Sequence, residues 1–177
     1  MHMKKILIIL SIAVMALTAI SCQKDPIGNT ATVETAGQWY VTVDAVDASG
    51  NLPDPDYADF FGMGQFILLT ANTAANKPNE MLVNDLGTFW EFNVKVACDQ
   101  NNLTFGNSEA VENLAYECMV SLFNGKIVKD GATTPSGMKA DAIQFEISFD
   151  DDTYPEKYGY DHYLVHGYRY TGLANDD

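Results

Sequence analysis

Beyond His2 the chain carries only two histidines, His162 and His166, and these are the first candidates for chemistry. Asp161 precedes His162 and could orient its imidazole. Ser136, on a predicted loop, is the available nucleophile. A Ser/His/Asp relay of this kind would make a weak esterase. The chain has no Gly-x-Ser-x-Gly elbow, and the three residues lie far apart in sequence. The two histidines fall at i and i+4 on a predicted strand, which places them on one face about 13 Å apart. At that separation they cannot chelate one metal ion as a helical His-x-x-x-His pair does. Asp54, Asp56 and Asp59 are spaced like calcium ligands but lack the Gly and terminal Glu of an EF-hand loop. Neither a metal nor a cofactor is therefore expected. Tyr154, Tyr158, Tyr160, Tyr163, Tyr168 and Tyr170 crowd the C-terminal quarter. They read either as a platform for stacking on sugars or as ordinary sheet residues.

The cysteines speak to location. Cys22 follows Ala19-Ile20-Ser21, after an apolar run from Ile6 that begins behind Lys4 and Lys5. A basic start, a short apolar stretch and small residues before Cys have the layout of a secretory leader, residues 1–21. They resemble a bacterial lipobox, with Cys22 as the acylated first residue of the mature chain. Residues 22–36, polar and without periodicity, read as a flexible tether to an outer-membrane anchor. Cys98 and Cys118 show no Cys-x-x-Cys spacing, so a zinc or redox pair has no support. Whether they bridge or remain buried thiols stays open. The full chain has 10 basic and 24 acidic residues, a net charge of −14. Losing Lys4 and Lys5 with the leader would take it to −16. Such a surface repels phosphate backbones and excludes nucleic acid as a natural partner.

The elements that must position these residues are strands. Trp39, Val41, Val43 and Ala45 alternate with Tyr40, Thr42 and Asp44, which predicts a half-buried strand over 37–46. Gly37 leaves room for the Trp39 ring at the barrel's end. Further strands are expected over 63–71, 81–86, 90–98, 115–123, 126–129, 143–149 and 162–171. Asn124-Gly125 reads as a two-residue hairpin turn and Asp130-Gly131 as a strand end. Residues 51–59 read as a loop, a lid over a barrel mouth or simply a surface connection. The tail from Asn175 is expected in solvent. Eight or so short antiparallel strands, with no amphipathic helix longer than two turns, predict an all-β up-and-down barrel over 37–174.

Several segments carry a family resemblance: Ala36-Gly37-Gln38-Trp39-Tyr40, Thr73-Ala74-Ala75-Asn76, Phe89-Trp90-Glu91-Phe92-Asn93-Val94-Lys95-Val96, Asn124-Gly125-Lys126, Thr134-Pro135-Ser136-Gly137-Met138 and Gly167-Tyr168-Arg169-Tyr170-Thr171-Gly172. With them, residues 37–172 resemble the Bacteroidetes lipoproteins called lipid-binding hydrolases, whose fold is lipocalin-like and whose hydrolase label is provisional. The Gly-x-Trp opening resembles that of lipocalins. There the Trp plugs the closed end and a basic residue of the last strand packs over it. The resemblance implies this role for Arg169, which could equally face outward toward an acid. It also implies a small apolar or amphipathic ligand, with Trp39, Trp90, Phe92, Phe145 and Arg169 as the ligand-site residues. An accessory glycan-binding or assembly protein of the cell surface is the alternative.

Overall fold

The structure is a computed structural model that describes residues 28–176. The expected leader over 1–21 and Cys22, the expected site of acylation, lie outside the described residues. Nine strands run in chain order: β1 (Gly37–Val46), β2 (Phe66–Asn72), β3 (Glu80–Asn84), β4 (Asn93–Asp99), β5 (Thr104–Phe105), β6 (Val111–Glu112), β7 (Met119–Thr133), β8 (Lys139–Phe149) and β9 (His162–Arg169). All pairs are antiparallel, in the order β5-β4-β3-β2-β1-β9-β8-β7-β6. A further pairing of Thr104 and Phe105 with Lys126 and Gly125 closes the ring. Eight strands thus form an up-and-down barrel and β6 is an extra strand, as the alternation predicts. Among the described residues, helical structure is limited to a 3-10 turn (Pro55–Tyr57) and one short helix, α1 (Tyr154–Tyr158).

The first strand has the predicted bounds. Trp39, Val41, Val43 and Ala45 point inward and are buried. The same alternation drives β4, β8 and β9 inward at Val94, Val96, Ile143, Phe145, Ile147, Tyr163 and Val165. These side chains are 0–2% exposed. No water-sized space therefore borders them, and the lumen is filled by the barrel's own residues.

Two turn signals take a different role. Asn124 has φ 52° and Asp130 φ 52°, and each precedes a Gly, yet β7 runs straight through both. Its register against β8 slips between Phe123 and Lys126 and again between Val128 and Ala132. These are β-bulges: left-handed backbone suits a bulge as well as a turn, and bulges coil a 15-residue strand around the barrel. The actual β7–β8 turn is Thr134–Gly137, where Gly137 has φ 85°. The first bulge also seats the seam. A Cβ on Gly125 would stand 2.4 Å from the Phe105 carbonyl oxygen.

The chain is tied down earlier and later than composition suggests. Of the segment read as a tether, Thr30–Ala36 forms a turn packed across the Trp39 end. Thr70 Oγ1 donates to the Thr35 carbonyl (2.6 Å), Gln100 Nε2 donates to Thr35 Oγ1 (2.7 Å), and Thr32 and Thr35 are buried. In the tail Asn175 is exposed as expected, but the next residue is tied down. Asp176 is buried and accepts hydrogen bonds from the Ser136 amide (2.7 Å) and Thr171 Oγ1 (2.6 Å).

Candidate binding site

The two ends of the barrel are closed in different ways. At one end Trp39 is fully buried. Its indole N–H donates to Thr70 Oγ1 at 2.9 Å, and the Arg169 guanidinium lies 4.3 Å from its ring centroid. Arg169 also donates to the Ala36 carbonyl (2.9 Å) and to Asp141 Oδ2 (3.1 Å). Arg169 therefore takes the place over the ring, not the outward one, and pairs with an acid from there. The inner side of β1 at Gly37 is open because the guanidinium needs the space. A Cβ there would meet Arg169 Nη1 at 2.2 Å, whereas the Trp39 ring would be 3.6 Å away.

The opposite end, where β9 begins at His162, is closed by aromatic rings. The β1–β2 connection, the expected lid, supplies Tyr57, Phe60 and Phe61. The β3–β4 connection supplies Phe89 and Trp90, and the β8–β9 connection supplies Tyr154 and Tyr160. Phe61 contacts Phe89 (5.6 Å), Tyr154 (5.6 Å) and the inward-facing Tyr163 (5.7 Å). Trp90 stacks on Phe149 at 5.2 Å with 18° between the planes. Phe149 in turn touches Phe92 in the core at 5.9 Å. Most of the loop rings are half-buried, so this is an apolar plug with one side near solvent.

Two carboxylates shape the plug. The buried Asp85 accepts five backbone amides: Gly87 (3.0 Å) and Phe92 (2.9 Å) on Oδ1, and Phe89 (2.9 Å), Trp90 (2.8 Å) and Glu91 (3.0 Å) on Oδ2. This loop replaces the first three residues of the strand expected over 90–98, which begins only at Asn93. Asp59 likewise accepts from the Met63 (3.1 Å) and Gly64 (3.0 Å) amides, and its own amide donates to Asp44. Asp54 caps the 3-10 turn through the Asp56 amide. Asp54 and Asp59 thus organise loop backbone, as Asx side chains commonly do. Asp59 stood out in the sequence only as one of three calcium-like acids and Asp85 not at all; an Asp followed within a few residues by Gly and aromatics was the available signal.

Beneath the rings, Tyr163 donates to Asp152 Oδ2 (2.5 Å), and the Tyr160 and Tyr163 hydroxyls lie 2.8 Å apart. Burial pushes both phenols up, Tyr160 to about 12 and Tyr163 further with Asp152 beside it, so both stay neutral. At the rim, Asp151 accepts from Trp90 Nε1 (3.1 Å) and from the Tyr116 hydroxyl (2.8 Å). Burial opposes its charge, but these hydrogen bonds outweigh that and hold it below the usual carboxylate range.

The five residues expected to line one ligand site do not converge. Trp39 and Arg169 meet at the plugged end. Phe145 sits mid-barrel against Phe105 (5.8 Å), and Phe92 lies in the core beneath Phe149. Of the five, Trp90 alone is at the mouth surface. The six C-terminal tyrosines do not form one platform either: Tyr160, Tyr163 and Tyr168 are buried, and Tyr170 packs on Tyr40 at 5.2 Å. Tyr154 and Tyr158 are exposed but stack on each other at 5.7 Å.

No hydrolytic relay is assembled from the predicted residues. Ser136 bonds to Asp176 in the β7–β8 turn, at the opposite end of β8 from the register of His162. His162 is buried between Glu146 (2.6 Å at Nε2) and Asp161 (2.9 Å at Nδ1), with both nitrogens engaged by carboxylates. His166 meets both Thr42 Oγ1 (3.3 Å) and Asp44 Oδ2 (2.9 Å) through the same Nε2. A relay needs the carboxylate on one nitrogen and the nucleophile on the other. Cys98 and Cys118 are free thiols, near opposite ends of the barrel. Burial pushes the Cys118 thiol up to about 11.

The described residues form a closed eight-stranded antiparallel barrel, plugged by a Trp–Arg pair at one end and covered by loop-borne rings at the other. A family model described as "lipid-binding putative hydrolase" matches residues 24–174, and the chain belongs to that family. No curated protein matches the sequence.

Proposed function

We propose that this chain is a lipid-anchored envelope protein that binds a small lipid-like ligand at the aromatic mouth of its barrel. The observation that carries this is how that end is closed. Two loops bring Phe61, Phe89 and Trp90 over the core and a third adds Tyr154, and among the described residues no ion pair or strand pairing locks those rings to one another. An acyl chain placed between Trp90 and Phe61 exchanges ring–ring contact for ring–chain contact and reaches Phe149 and Tyr163 directly. The filled lumen argues for a ligand seated in the mouth with partial displacement of rings, not one threaded to Trp39. Cys22 behind a secretory leader supports attachment by an acyl group, and the family's lipid-binding description supports the ligand class.

The test uses the chain's own reporters. It has two tryptophans, Trp39 sealed in the core and Trp90 at the mouth. Dodecanoate, dodecylamine and monolauroyl glycerol are titrated below their micelle concentrations. At least one should change the indole emission of the mature protein, and Trp90→Phe should abolish the change. If none of the three binds, and native mass spectrometry finds no retained lipid, the reading falls.

A further inference from the structure

Beside the mouth lies an open cleft of about 690 Å³ lined by Glu112, Glu117, Cys118, Met119, Asp150 and Asp151. Four of its six lining residues are acids, and no Lys, Arg or His is among them. No ion pair among the described residues involves any of the four. Asp151 joins this cleft to the aromatic plug. One of its oxygens holds the Trp90 indole N–H and the other the Tyr116 hydroxyl. Behind Trp90 the stacked Phe149 leads to Phe92 and the barrel core. The two surfaces are thus continuous: unpaired negative charge outside, rings inside.

Resting on the mouth as the ligand site, we propose that the ligand is an amphiphile with a cationic head, a long-chain amine or an amine-headed lipid. Its head group occupies the acidic cleft while its chain crosses Trp90 and Phe149. The argument is charge complementarity. An ammonium group near Asp150 and Asp151 would sit among carboxylates that no protein cation neutralises, and the Trp90 ring face adds a cation–π contact. A fatty-acid carboxylate in the same place would face like charges on a chain whose net charge is already −14. Glu112 and Glu117 are exposed and make no hydrogen bond that the fold depends on, so they can be neutralised without disturbing the loops.

The experiment compares two probes of equal chain length, dodecylammonium and dodecanoate, on the full mature chain at pH 7 and low salt. Dodecylammonium should bind at least tenfold more tightly. Glu112→Gln with Glu117→Gln should reduce that preference severalfold, and so should Asp150→Asn, with unchanged thermal unfolding as the check on folding. Glu34→Gln with Asp130→Asn removes the same charge away from the mouth and should leave the preference intact. Equal or tighter binding of dodecanoate overturns the proposal while leaving the mouth as a lipid site. An equal loss of preference in the distant variant overturns it too, because general attraction to an acidic protein would then suffice. If neither probe binds, the proposal is overturned, while the mouth as a lipid site still stands or falls on monolauroyl glycerol and retained lipid.

Discussion

Replacing Gly37 by Ala should destabilise the protein through a residue 132 positions away, and only while that residue is Arg. The new Cβ would stand 2.2 Å from Arg169 Nη1 and 3.1 Å from Cζ, so the guanidinium must leave Trp39. Three interactions go with it. The cation–π contact is worth about 0.5–2 kcal/mol. The hydrogen bonds to the Ala36 carbonyl and to Asp141 are charge-assisted, up to about 1.5–3 kcal/mol each when dry. The Arg169 side chain is 29% exposed, however, so water replaces much of the second pair. A total of about 2 kcal/mol is a fair sum. Against it, Ala restricts the unfolded chain and returns about 0.4–1 kcal/mol. Gly37→Ala should therefore cost about 1–2 kcal/mol in the natural chain. In an Arg169→Met background, where the same space holds no guanidinium, it should be neutral or mildly stabilising. The assay is urea unfolding of the four members of the cycle, followed by tryptophan emission, with unchanged m-values as the two-state check. A coupling below about 0.5 kcal/mol would show that Gly37 is open for some other reason, and the account of the plugged end would be wrong.

Asp85→Ala strands five backbone amides at a buried site, so a loss on the order of 3 kcal/mol or more is expected. Trp90 emission should shift to the red as the loop frees, and a native-like spectrum would contradict the role given to this carboxylate. Gly167→Ala would set a Cβ 1.9 Å from the Tyr40 carbonyl oxygen, on a backbone that cannot move aside. It should lower the melting temperature far more than Gly28→Ala, which meets nothing within 4 Å; equal effects would refute the packing. Acid should destabilise the fold. At Asp141, Asp151 and Asp176 burial opposes ionisation, but hydrogen bonds at each, with Lys129 and Arg169 added at Asp141, hold the folded-state values below 3.8. Their contribution is therefore complete above the unfolded value of about 4 and is lost as pH falls through the lower folded values. A urea midpoint that stays flat or rises from pH 5 to pH 3 would contradict this.

Much of the barrel is legible in the chain because alternation over seven or more residues admits one reading. Strand β1 carries its period-two pattern from Trp39 to Ala45 without a break, and its bounds match. The failures share a cause: they lie where a side chain or a bulge, not a periodicity, decides the backbone. Asn124-Gly125 announces positive φ, which a turn and a bulge both satisfy, and only the pairing with β8 selects the bulge. Trp90 and Phe92 fit the strand's alternation, but Asp85 captures the amides a strand would have offered to its neighbour. Thr30–Ala36 and the tail at Asp176 look like solvated polar chain. Their order comes from Thr70, Gln100 and Ser136, partners 35 or more residues away. The mouth was legible only as a lid candidate, since its rings come from three separated loops whose meeting is a tertiary fact.

The strap over 30–36 leaves the barrel at the Trp39 end, and this fixes a polarity for the whole molecule. From Cys22 to Gly28 the polypeptide spans at most about 20 Å even when drawn straight. A fatty modification at Cys22 would hold the sealed base against the bilayer and aim the ring-lidded entrance away from it. Cargo would then arrive from the aqueous side, handed over by another carrier or captured from solution, instead of being drawn up from the leaflet beneath.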